Sequence, residues 1–183
     1  RDPQVVADWL QPLINEEDPR HFLNRPAQAS VDITSEGDWV AEWGQFYREV
    51  FGLQVDLSQV EIKDDPGGFG WIVIVVKELT LNRAWAKCRD RFPCSSYYGD
   101  DLSVRIDVGK SVAESYSRRF LNRVEADEEN QNLSANVLKE QGVQEITLLE
   151  RLLLELWYHW KTGGGHLDLL TVTLCSGSRD RYG

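Results

Sequence analysis

A run of six consecutive apolar residues, 71–76, limits the possible folds of this chain more than any other part of its sequence. Its β-branched side chains favour extended backbone, and a strand that is apolar on both faces has to be covered on both faces. Residues 64–68, which include Pro66 and two glycines, are typical of a turn. Residues 53–62 alternate between apolar and polar. The sequence therefore predicts a hairpin of 53–62 and 71–76, in which 71–76 is a central strand with a neighbour on each side.

The strongest helical pattern lies in residues 147–162. Thr147 and Glu150 match a capping box. Apolar residues recur on one face at helical spacing: Leu149, Leu152, Leu153, Leu156, Trp157 and Trp160. Polar residues are expected to face away from the core: Glu150, Arg151, Glu155 and His159. Leu154 and Tyr158 interrupt that polar face, and they are either an interface patch or two isolated exposed residues.

Shorter patterns predict the other elements. Capping residues and apolar spacing predict further helices at 38–51, from Thr80 to about Phe92, from Ser111 through Tyr116 and Phe120 to Val124, and from Ser134 to Gly142. Alternating or apolar runs predict strands at 102–108 and 167–175, the latter after the glycines 163–165. Residues 1–35 are expected to form a peripheral helix followed by an irregular segment.

This element order is not a regular alternation of strands and helices. It predicts an α+β fold with a mostly antiparallel sheet of three or four strands, packed by about five helices. At 183 residues the chain fits a single domain spanning 1–183. Because it begins with Arg1 and contains no methionine, we expect the natural protein to be longer, with both ends as candidates for the extension.

Composition narrows the class of function. The formal net charge is −10, which disfavours nucleic acid and anionic membrane surfaces as partners, because both are bound by clustered Lys and Arg. No stretch approaches the roughly 18 apolar residues of a membrane helix. The three cysteines are too few and odd in number for a disulfide scaffold, so we expect a soluble protein of the reducing cytoplasm.

Cys175 and Arg181 have the sharpest catalytic spacing in the chain. Five residues separate them, as in the phosphate-binding loop of cysteine phosphatases, where backbone N–H groups and an arginine hold the anion and lower the thiol pKa. Leu174 and Tyr182 depart from the residues usual beside that loop, and no helix is predicted after it. A structural cysteine at a strand end is the favoured interpretation.

Metal binding rests on a second set of weak candidates: Cys88, Cys94, His159 and His166, with Cys175 as a further thiol. Structural zinc sites favour closely paired ligands, whereas five residues separate Cys88 from Cys94. Acidic pairs such as 64–65 and 100–101 lie in predicted loops, where solvated carboxylates are usual. Because no nucleotide-binding or hydrolase-elbow motif is present either, the sequence predicts no cofactor and no metal.

Several segments resemble a family of hypothetical bacterial proteins from candidate-phylum genomes, over roughly residues 70–180. They are Leu79-Thr-Leu-Asn82, Arg91-Phe-Pro-Cys94, Val124-Glu-Ala-Asp-Glu-Glu-Asn130, Asn132-Leu-Ser-Ala-Asn136, Leu138-Lys-Glu-Gln141, Ile146-Thr-Leu-Leu-Glu-Arg-Leu152, His166-Leu-Asp168 and Thr173-Leu-Cys-Ser-Gly-Ser-Arg179. The resemblance implies no activity or cofactor. It implies a Trp- and Gly-rich β segment after the last of these residues, and hence a lectin-like, ligand-displaying module as one possible function.

The leading hypothesis is a non-enzymatic domain that binds a protein or a small ligand, because aromatic and acidic residues are abundant and no catalytic pattern is complete. The alternative is a phosphatase-like hydrolase with Cys175 as nucleophile and Arg181 as anion ligand. The two hypotheses differ in whether the Cys175 thiol ionises near neutral pH.

Overall fold

The structure is a computed structural model that describes residues 38–108 and 113–182. The helix predicted within 1–35 and the predicted cap Ser111 lie outside these residues. The helices are α1 (Trp39–Phe46), α2 (Leu81–Arg91), α3 (Leu102–Arg105), α4 (Ala135–Glu140) and α5 (Leu148–Thr162). The strands are β1 (Trp71–Val75), β2 (Ile106–Asp107), β3 (Tyr116–Phe120) and β4 (Arg179–Asp180). A 3₁₀ turn at Glu128–Asn130 completes the elements.

β1 pairs with β3 in an antiparallel register that runs from Trp71 opposite Phe120 to Val75 opposite Tyr116. All five β1 residues are buried, so the prediction of a strand covered on both faces is confirmed. The predicted hairpin is wrong, because the partner is β3 and residues 53–62 form no strand in the described part of the chain.

Aromatic side chains of α1 and of the π-helical turn that follows it (Tyr47–Phe51) cover the other edge of β1. The Trp43 indole N–H donates to the carbonyl of Ile72 over 2.9 Å, and the Tyr47 hydroxyl donates to the carbonyl of Ile74 over 2.6 Å. In an antiparallel pair, alternate residues direct their carbonyls away from the partner strand. Donors one helical turn apart therefore meet carbonyls two residues apart. The prediction of a strand on each side of β1 is wrong, because this helical segment lies where the second neighbouring strand was expected.

The predicted helix at 38–51 is confirmed as α1 and the π-helical turn Tyr47–Phe51, which ends at Gly52 in the left-handed conformation. Thr80 caps α2, Ser134 caps α4, and Thr147 with Glu150 forms the capping box of α5, as the sequence predicts. α5 ends at Gly163, whose φ of 70° is easily adopted by glycine.

At two places the structure has a different type of element from the one that the sequence predicts. The alternation at 102–108 predicts a strand, but Asp101 accepts hydrogen bonds from the Ser103 N–H and hydroxyl and so starts the short helix α3. Only Ile106–Asp107 of this range is a strand, β2. The predicted helix through Tyr116 and Phe120 is instead β3. Its local capping signal is outweighed because the apolar strand β1 requires a pairing partner.

The strand predicted at 167–175 is also wrong. Leu167 and Cys175 are buried, whereas Leu170 is 89% exposed. Side chains satisfy backbone groups here in place of a strand partner: the Glu125 carboxylate accepts from the N–H groups of Leu170 and Thr171. The only strand after α5 in the described chain is β4, which pairs antiparallel with β2.

α5 lies in the centre of the hydrophobic core, against α2 and β1. Every residue from Leu148 to Tyr158 is buried, so the predicted solvent-facing side of this helix is wrong over that stretch. Leu154 and Tyr158 are core residues, which removes both interpretations of them as exposed. The charged residues of α5 therefore need partners inside the protein.

The fold is α+β, with helices around two separate two-stranded antiparallel sheets. The predicted sheet of three to four strands is wrong for residues 38–108 and 113–182. No helix within those residues has the length and apolar character needed to cross a membrane.

Candidate functional site

A chain of buried charges ties α5 to the segment that follows it. The guanidinium of Arg151 lies 2.8 Å from an Asp168 carboxylate oxygen and 3.3 Å from Glu155, and all three side chains are nearly inaccessible. Asp168 has a φ of 52°, and its carboxylate also accepts the N–H of Thr173. Because each charge is paired and hydrogen-bonded, the network is compatible with burial.

Glu155 extends this network to a histidine. One carboxylate oxygen lies 2.7 Å from Nδ1 of His166, and the other accepts the N–H of Leu167 over 3.2 Å. Burial by itself raises the pKa of Glu155, but the hydrogen bond with His166 and the charge of Arg151 outweigh burial and lower it below the ordinary value. Glu155 is therefore an anion that fixes the orientation of the His166 ring.

The two histidines that the sequence singled out lie together. The ring centres of His159 and His166 are 5.1 Å apart, and the Phe92 ring packs against both. Both histidines are half-buried. Burial, followed by the neighbouring His166, lowers the pKa of His159, so its imidazole is neutral near pH 7.

All three cysteines lie near the charges of α5, but none has the environment of a thiolate nucleophile. Burial raises the pKa of Cys175 to about 12 despite the nearby Arg151, and it raises the pKa of Cys94 to about 11. Burial also raises the pKa of Cys88 well above its usual range. A reactive cysteine needs the opposite shift.

The loop after Cys175 does not converge on an anion site. The N–H groups of residues 176, 177, 178 and 181 donate to the carbonyls of Leu174, Ile146, Cys175 and Arg105, respectively. These donors are the ones a phosphate loop would direct at its ligand. Arg181 itself is exposed. These N–H groups are therefore already used within the protein, and Cys175 and Arg181 do not form a phosphate-binding loop.

The four predicted metal ligands, Cys88, Cys94, His159 and His166, do not form one cluster in the described structure. Among residues 38–108 and 113–182, no group of three or more His, Cys, Asp or Glu side chains is placed to hold a metal ion. Cys88 lies inside the core, while Cys94, His159 and His166 are half-buried. Of the predicted metal ligands, His159 and His166 have rings in direct contact.

A cavity of about 480 Å³ lies between β3 and the N-terminal end of α5, and we call it the β3–α5 cleft. Most of its lining residues carry a polar group, although polar and apolar atoms contribute about equally to its surface: Lys63, Val108, Tyr116, Ser117, Arg118, Gln144, Glu145, Thr147 and Gly177. A volume of this size is within the range of small-molecule sites, which combine a concave shape with a few polar groups.

Buried side chains hold the wall of the cleft in place. Arg118 of β3 forms an ion pair of 3.2 Å with Glu150, whose side chain has no exposed surface. The Tyr116 hydroxyl lies 3.1 Å from the same Glu150 oxygen, and burial, followed by the Glu150 charge, raises the pKa of Tyr116. The second Glu150 oxygen accepts the N–H of Thr147 in the capping box. Three lining residues are therefore fixed by one carboxylate.

Glu145 and Lys63 supply opposite charges to the lining. One Glu145 carboxylate oxygen is buried and receives no hydrogen bond from the described residues. Arg179 lies 3.6 Å from it, within ion-pair range but too far for a hydrogen bond. Lys63 is exposed. The lining thus includes an exposed cation and a partly exposed carboxylate, one oxygen of which is buried beside Arg179.

The sequence did not predict this cleft. Glu150 was identified only as a capping residue with a solvent-facing side chain, and Tyr116 was assigned to a helix. The available signal was the neighbouring pair Arg118 and Arg119 beside aromatic residues, in a chain whose net charge is −10.

No family model, curated protein or solved structure matches the chain.

Proposed function

We propose that this chain is a non-enzymatic binding domain that holds a small zwitterionic ligand, such as an amino acid, in the β3–α5 cleft. The single observation that carries the proposal is a concave cleft whose lining combines the exposed Lys63 and the partly exposed Glu145 with a wall held by the buried Glu150. Small-molecule sites combine such a concave shape with a few polar groups that fix the orientation of the ligand.

The charges of the lining suit a ligand with two opposite ends. An ammonium group pairs with the partly exposed carboxylate of Glu145, which also lies 3.6 Å from Arg179, and a carboxylate on the same ligand pairs with Lys63. Arg118 is already neutralised by Glu150, so it contributes hydrogen-bond donors rather than a net positive charge. Neutral side chains such as Gln144 and Thr147 complete the polar lining.

The rigidity of the wall supports binding rather than catalysis. Tyr116, Arg118 and Thr147 are held by Glu150, so the site is organised before a ligand arrives and loses little side-chain entropy on binding. The hydrolase alternative would require an ionised Cys175, whereas burial raises that thiol's pKa to about 12. The binding hypothesis therefore remains the leading one.

Isothermal titration with the twenty amino acids, as separate ligands, tests the proposal. We expect saturable binding of at least one, with a loss of about tenfold or more in affinity, about 1.4 kcal/mol, for Lys63→Ala and for Glu145→Gln. Lys139→Ala and Glu140→Gln are matched controls, because both residues are exposed on α4 and do not line the cleft. Equal affinity in all four variants contradicts the proposal.

A further inference from the structure

His159 and His166 form a pair of imidazoles whose spacing suits a shared metal ion. Their ring centres lie 5.1 Å apart with 49° between the ring planes. Two imidazoles bound to one tetrahedral zinc, with Zn–N bonds of about 2.0–2.1 Å, have ring centres about 5 Å apart. The observed distance between the ring centres matches this value.

Glu155 provides the second feature of a metal-binding histidine. Its carboxylate lies 2.7 Å from Nδ1 of His166 and is itself held by Arg151 and the N–H of Leu167. Histidines that bind metals usually donate their other ring N–H to such a carboxylate, which fixes the tautomer and strengthens the free nitrogen as a ligand. With the proton on Nδ1, Nε2 of His166 carries the lone pair.

The packing around both rings agrees with the same role. Phe92 packs against both rings and limits their reorientation. Both histidines are half-buried, so solvent reaches the pair and water can complete the coordination.

We propose that His159 and His166 bind one divalent transition-metal ion of the zinc type, with water in the remaining positions and Glu155 orienting His166. This site lies at the C-terminal half of α5, apart from the β3–α5 cleft, whose lining contains neither histidine. With two protein ligands it is open, unlike the closed four-ligand sites that stabilise small zinc folds.

Titration of the full chain with ZnCl₂ at neutral pH, followed by calorimetry and by the imidazole NMR signals, tests the proposal. We expect one ion per chain, a shift of both the His159 and His166 signals, and a loss of about tenfold or more in affinity for His159→Ala or His166→Ala. Glu155→Gln is expected to weaken binding about 10–100-fold, as other losses of an orienting carboxylate do.

Glu140→Gln is the control, because Glu140 is exposed on α4 and is not in contact with either histidine ring; it should bind zinc as the parent does. His159→Ala removes ring contacts rather than a buried ion pair, so it decides the question even if the Glu155 variant does not fold. Unchanged zinc affinity in His159→Ala and His166→Ala overturns the proposal. So does loss of binding in Cys94→Ser with both histidine variants unaffected, because the ion would then be bound by the thiol.

Discussion

Arg118 of β3 and Glu150 of the first turn of α5 form an ion pair of 3.2 Å, and the Glu150 side chain is completely buried. The pair joins residues 32 positions apart in sequence. It connects the sheet of β1 and β3 to the central helix and fixes one wall of the β3–α5 cleft. Stability and the proposed binding function therefore depend on the same contact.

Removing one member of this pair should destabilise the protein strongly. We expect Arg118→Ala to lower the free energy of unfolding by about 3–5 kcal/mol, because it leaves the Glu150 charge buried without its partner. Chemical denaturation measures the change. Arg123→Ala is the control, since Arg123 forms exposed ion pairs with Asp127 and Glu129 and should have little effect. Equal losses in both variants would show that burial of Glu150 is not important.

Truncation of the α5 core face should be equally visible. Leu153 and Leu156 are fully buried, and each substitution to Ala is expected to lower the free energy of unfolding by about 2–5 kcal/mol, through lost burial and the cavity that remains. Leu170→Ala, at an exposed position, is the control. Losses below about 0.5 kcal/mol at both core positions would mean that α5 does not pack as described.

Local patterns predicted α5, because a capping box and a helical apolar period are both properties of a short stretch of sequence. The burial of its polar side was not predictable in the same way. The pattern of Glu150, Arg151 and Glu155 resembles a solvated face, and their partners Arg118, Asp168 and His166 lie elsewhere in the chain. Only the tertiary fold brings these partners together.

The strand β3 was also not predictable from its local sequence. Its sequence carries helical spacing and a capping signal, yet Tyr116–Phe120 pairs with β1. The requirement that β1 be covered was evident from sequence, but the identity of the covering segments was not. The histidine pair was half predictable: His159 and His166 were both candidates, whereas their contact depends on the turn after Gly163.

The reactivity of Cys175 distinguishes a binding domain from a thiol hydrolase. Burial raises its pKa to about 12, so at pH 7 the thiol is protonated and should react with thiol reagents far more slowly than in the unfolded chain. Alkylation followed by peptide mass spectrometry gives the rate at each cysteine. Rapid alkylation of Cys175 at about pH 6, suppressed by phosphate, would instead support the hydrolase hypothesis.

The Glu155 network predicts how stability depends on pH. The pKa of Glu155 in the folded protein is below its ordinary value of 4.5, so its contribution is present above that value and is lost as the pH falls through the folded pKa. The free energy of unfolding should therefore fall between about pH 6 and pH 3, and less steeply in Glu155→Gln. Identical slopes for parent and variant would contradict the lowered pKa.

Chemical-shift mapping of a bound amino acid tests the central claim most directly. The full chain, labelled with ¹⁵N, is titrated with the amino acid that binds best in calorimetry, and the amide signals that move identify the site. The proposed function predicts saturable shifts concentrated at Lys63, residues 116–118 and residues 144–147, and in Glu145→Gln the same shifts should require about tenfold or more amino acid. Shifts concentrated elsewhere, or none with any amino acid at about 10 mM, well above the affinity range of typical small-molecule sites, would contradict it.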